Sequence, residues 1–186
     1  MSKARCVSFV AAMGALGNLL FAASQSLFNL GQIALDLSHL ATYIAALYGS
    51  PYLGLMTGVI VGLGPGLYFG YIGGQLGALG LLGLPTGKAL TGLTAGVLAR
   101  RLSRSMSAVR TAFLILSSYV PECLFTIVFF KVFIPLFVPA ASKYLVGLLV
   151  PILVKAWTEI AVVAALISML TRSKGFSDFL RKYLSS

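Results

Sequence analysis

Acidic residues are nearly absent from this sequence: Asp36, Glu122, Glu159 and Asp178 stand against 14 lysines and arginines. Charged residues of either sign fill only 10% of the 186 positions and hydrophobic ones fill 59%, at a mean hydropathy of +0.97. This scarcity of charge excludes an ordinary soluble domain and leaves a polytopic helical membrane protein. Cysteine is scarce as well. Cys6 and Cys123 both fall in apolar stretches, where they pack as small hydrophobes rather than form a disulfide or hold a metal. There is one histidine, His39, and no His-Glu-x-x-His, so no metal constellation or nucleophile triad is in view. The glycine-rich stretch from Gly70 to Gly83 lies between two apolar spans and lacks the strand and helix that a phosphate cradle needs. No cofactor, metal or catalytic residue is expected, and ATP hydrolysis would have to come from a partner.

The apolar residues account for six spans, at roughly 6 to 25, 36 to 49, 51 to 70, 85 to 102, 110 to 135 and 144 to 171. The fold class is therefore an all-α integral membrane protein, one six-helix bundle over residues 1–186. The basic start Met1 to Arg5 precedes an apolar stretch, Cys6 to Ala23, that is long enough to span and has no clear cleavage site after it. It reads as the first transmembrane helix. A net charge of +10 would suggest nucleic acid in a soluble chain, yet here the basic residues concentrate in three places. They are the N-terminus (Lys3, Arg5), the connection carrying Arg100, Arg101, Arg104 and Arg110, and the C-terminus (Arg172, Lys174, Arg181, Lys182). The positive-inside rule puts all three on the cytoplasmic side and an even number of spans agrees. The lipid bilayer, not nucleic acid, is the partner that this pattern implies.

Span three carries glycines at 54, 58, 62, 66 and 70, one stripe along a helix, and Gly92 and Gly96 repeat the device in span four. Such stripes let neighbouring backbones approach. Gly64, Pro65 and Gly66 should kink span three. In the first span Ala11 and Ala15 form a small-residue patch suited to docking another helix.

The last span holds Lys155 and Glu159, one helical turn apart, where a charge in hydrocarbon faces a bundle interior or a wet cavity. Glu122 in span five is a further acceptor for Lys155. Three roles are open: a structural ion pair, a proton relay, or contact of Lys155 with an acidic group on a solute while Trp157 stacks on its ring. Lys131 and Lys143 can snorkel to the interface. An enzyme built on Glu122, Glu159 and His39 would need three predicted spans to converge.

In order and length these features resemble the substrate-binding S components of energy-coupling factor (ECF) vitamin transporters. The resemblance rests on the six-span layout, on Ala11 and Ala15 as an AxxxA pattern, and on Asp36-Leu-Ser-His-Leu followed by Leu47-Tyr-Gly-Ser-Pro-Tyr-Leu-Gly-Leu. Gly87-Lys-Ala-Leu-Thr-Gly-Leu-Thr-Ala-Gly before a basic loop and a lysine in the last helix complete it. It implies a prokaryotic plasma-membrane protein that captures a vitamin-like small molecule at the external face and hands it to a complex of a transmembrane T component and two ATPase subunits. It also implies that Ala11 and Ala15 dock the T component, and that Asn29, Gln32, Lys88, Glu122, Lys155 and Trp157 form the solute cavity. No signature identifies the solute. A self-sufficient permease or channel is the rival.

Overall fold

The computed structural model describes residues 2–27, 35–73, 76–102 and 107–185, and within them every regular element is helical. The long elements are α1 (Lys3–Leu27), α3 (Pro51–Leu67), α4 (Ala78–Arg101), α5 (Ala108–Ser118) and α9 (Leu149–Arg172). Between them lie α2 (His39–Ile44), α6 (Val120–Val128), α7 (Ile134–Phe137) and α8 (Ser142–Gly147), and α10 (Lys174–Ser185) ends the chain. Four segments are long and apolar enough to cross a membrane: Lys3–Ser26, Pro51–Ile72, Ala108–Phe137 and Leu149–Arg172. Among the described residues the protein is thus all-helical, with four helices long and apolar enough to span a membrane.

Two of the six expected spans take a different form. The stretch 36 to 49 becomes helical only at His39, and six α-helical residues pass into a π-helical turn, Ala45–Gly49. At 1.5 Å per residue this reaches about 16 Å, half a bilayer. Its residues Tyr43, Ile44, Ala45 and Ala46 are buried, so it fills the bundle centre rather than facing lipid. The segment from 78 to 101 is a full-length helix, but five glycines and Lys88 dilute its hydropathy below that of the four.

Local chemistry sets the breaks. Ser50 caps α3 by accepting the Leu53 N–H at 3.1 Å, with Pro51 in the first turn where a missing N–H costs nothing. Ser107 caps α5 by accepting the Arg110 N–H at 3.3 Å. Pro121 follows the step at Tyr119 that separates α5 from α6. Gly77, the one described residue with a left-handed backbone (φ 54°), turns the chain into α4.

The glycine stripe packs α3 against α4 backbone to backbone. A Cβ at Gly54 would lie 2.5 Å from the Gly92 carbonyl oxygen, one at Gly66 2.9 Å from that of Gly80, and Gly96 faces Pro51 in the same way. α1 crosses the other side of α3, where Gly14 and Gly17 accommodate Ile60 and Val61. Asn18 completes that seam. Its amide donates to the Ile60 carbonyl (2.9 Å) and its carbonyl accepts the Gly64 N–H (2.9 Å), so it serves both ends of the helical step just before Pro65.

The basic ends meet. Phe9 of α1 contacts Tyr183 of α10 (ring centroids 6.2 Å apart), the Tyr48 and Ser177 hydroxyls are 2.8 Å apart, and Ser168 of α9 donates to the Ala108 carbonyl. Lys3, Arg5, Arg110, Arg172 and Lys174 therefore share one end of the bundle. The opposite end is built from Tyr68–Ile72, Leu76 and residues 139–148.

Candidate functional site

Three of the four carboxylates in the sequence converge on one internal cavity of about 700 Å³. Asp36 and His39 reach it from the chain entering α2, Lys88 from α4, Glu122 from α6, and Lys155 and Glu159 from α9. The volume is that of a small-molecule site.

The polar groups form two linked clusters. Lys88 Nζ donates to Asp36 Oδ2 at 2.8 Å and to Ser38 Oγ at 2.6 Å, with Lys88 only 3% exposed. The other Asp36 oxygen accepts the Ser38 N–H at 2.8 Å, and the Asp36 N–H donates to Glu159 Oε1. Lys155 Nζ stands 3.2 Å from that same Glu159 oxygen. Asp36 thereby ties the segment before α2 to both α4 and α9. In the second cluster His39 Nε2 faces Glu122 Oε1 at 3.5 Å, and the Thr91 hydroxyl donates to Glu122 Oε2. Gly87 admits the Glu122 side chain: a Cβ there would stand 3.2 Å from it. One turn earlier, Gly83 gives the same room to the Phe129 ring.

Apolar walls surround this floor. Phe125, Phe129 and Phe130 line one side, with Leu145, Leu148 and Ile152 from α8 and α9, while Tyr68, Phe69, Leu76 and Leu84 close the end away from the basic pole. Two buried polar atoms at the cavity have no hydrogen-bond partner among the described residues: His39 Nδ1 and Gln25 Nε2.

Of the residues expected from the sequence, Lys88, Glu122 and Lys155 do come together here. Lys155 is the seventh residue of α9, about 9 Å along it, a quarter of the way from its cavity end. Trp157 does not line the cavity. Its ring packs edge-on against Tyr119, centroids 5.2 Å apart, and Tyr119 forms the wall instead. Asn29 and Gln32 lie outside the described residues, in the chain between Gln25 and Asp36, both of which line the cavity. Lys131 and Lys143 are exposed and are not among the cavity's described lining residues, although their neighbours Phe130 and Tyr144 are. Ala11 and Ala15 are exposed on α1, on a face continued by Val7 (69% exposed) and Leu19 (68%).

The cavity that the resemblance implies lacks Asp36, His39, Gln25 and Phe125, Phe129 and Phe130, while Glu159 is expected from the sequence as the partner of Lys155. The signal for Asp36 and His39 was available. Polar residues in so apolar a chain are costly to bury without partners, and four acids leave few ways to neutralise a buried lysine. No family model, curated protein or solved structure matches this chain.

Proposed function

We propose that the chain is a membrane-embedded capture subunit of the ECF S-component type. It binds a vitamin-like small molecule in the cavity between α4, α6 and α9, at the external face, and delivers it through an ATP-driven complex with a T component and two ATPase subunits. The observation that carries this reading is the cavity itself. Its volume, its apolar and aromatic walls and its few convergent polar groups are the combination that small-molecule sites use. The exposed alanine face of α1 supports a helical partner, because small side chains there let another helix approach closely. The basic residues at the opposite pole support a cytoplasmic location for both termini, in the plasma membrane of a prokaryote.

Mass spectrometry of small molecules released from the detergent-purified protein tests this. A compound present at one per chain is the expected result. Release of nothing, with no binding from a vitamin panel, would remove the capture role. Uptake into vesicles that contain only this chain would favour the permease.

A further inference from the structure

We propose that the solute is an organic cation, an aromatic or heterocyclic ring bearing a positive nitrogen with N–H donors. The inference rests on the reading of the cavity as a capture site and concerns which chemistry it selects.

The charge count inside the cavity is inverted relative to the chain. Overall the protein carries +10, yet its lining has three carboxylates (Asp36, Glu122, Glu159) and two lysines (Lys88, Lys155). Both lysines are already matched within the chain. Lys88 is held by Asp36 and Ser38, and Lys155 by Glu159. An incoming carboxylate would add a fourth negative charge to two lysines that already face carboxylates. Residues 28–34 and 74–75, outside the described set, contain no ionisable side chain, so they do not alter the balance.

Glu122 is the cavity carboxylate without a lysine partner, and its neighbours are His39 and Thr91. A cation beside Glu122 disfavours charge on the imidazole, which then presents its Nε2 hydrogen to Glu122 and a lone pair on Nδ1 to the solute. That atom belongs to a side chain 5% exposed, and no described residue bonds to it. The site thus offers three carboxylates to two lysines and, once a cation sits beside Glu122, a free acceptor, a pair that fits a nitrogen cation carrying N–H groups. The walls agree: Phe125, Phe129 and Phe130 supply ring faces, which attract cations and stack on flat rings.

The test uses three probes of one shape and different charge: benzylammonium, benzyl alcohol and benzoate. Each is titrated into the purified protein and followed by the fluorescence of Trp157, the sequence's single tryptophan, which packs on the cavity-wall residue Tyr119. Benzylammonium should bind about tenfold or more tightly than benzoate, as one uncompensated charge at contact distance requires, and Glu122→Gln should erase that preference. If the variant fails to fold, the comparison of the three probes on the unaltered protein still decides. Benzoate binding as well as or better than benzylammonium overturns the proposal, and so does a released native solute that is an anion at pH 7. Either result leaves solute capture standing. Absence of any released solute together with no response to any probe would instead overturn the capture role on which the proposal rests.

Discussion

At the residue scale, Asp36 joins the chain entering α2 to both α4 and α9. One carboxylate oxygen accepts from Lys88, the other caps the Ser38 N–H, and its own N–H is held by Glu159. Replacing it by asparagine keeps the shape and removes the charge that Lys88 needs. Breaking a buried pair from one side costs about 3–5 kcal/mol, because the remaining charge stays buried without compensation. Asp36→Asn should therefore lower the melting temperature in detergent markedly, and adding Lys88→Met should recover much of the loss. A single variant as stable as the parent would show that the pair is not buried as described. The sequence makes half of this visible. Lys88 and Glu122 stand out because charge in an apolar span demands a partner, and Lys155 with Glu159 is legible from the helical turn between them. Asp36 to Lys88 is a pairing across 52 positions, set by how the short helix α2 folds into the bundle, and no local periodicity encodes it.

Between elements, the contrast lies in which patterns repeat. Glycines at every fourth position of α3 predict a close seam, and α4 supplies it with Gly80, Gly92 and Gly96. At Gly58 an added Cβ would meet the backbone of Lys88 and Ala89, 2.8 Å from the latter's Cα. Gly58→Val must then force α3 from α4 and shift Lys88 at the cavity. Overpacking of this kind costs typically about 1–3 kcal/mol, so both a lower melting temperature and weaker solute retention are expected. Unchanged retention would mean that the seam does not position the site. Asn18 is a second joint. Asn18→Leu leaves the Ile60 carbonyl and the Gly64 N–H without their side-chain partner in an apolar surrounding, at about 1–3 kcal/mol for each group left unmade. Hydrogen exchange of the Gly64 amide should rise in that variant; protection at the parent level would show that the backbone closes the step by itself. The shortness of the second span is legible in its bounds, 36 to 49, which fall short of a bilayer, whereas the π-helical turns at Ala45–Gly49 and Phe129–Phe133 are not legible. An extra residue per turn shifts the side-chain faces without changing composition, and the buried packing of Tyr43 and Phe129 decides where that happens.

For the whole molecule, the question is whether capture and delivery occupy different surfaces. The cavity draws on α4, α6 and α9, with Gln25 the contribution from α1 among its lining residues. Ala11 and Ala15 lie elsewhere, on an exposed face of α1 about a third of a turn round the helix from Gly14 and Gly17, which pack against α3. A side chain added at 11 or 15 therefore points away from the bundle and from the solute. Ala11→Trp with Ala15→Trp should leave the melting temperature within about 0.5 kcal/mol of the parent in equivalent stability, as exposed changes do, and should leave the amount of released solute intact. The same variant should lose co-purification with the T component and ATP-dependent uptake, because the flat approach of a partner helix is blocked. Loss of the solute as well would mean that α1 shapes the cavity through more than Gln25. Retention of both solute and uptake would place the partner on another face, and the remaining exposed apolar surfaces, such as Phe113 and Leu124 along the Ala108–Phe137 span, would be the next to block.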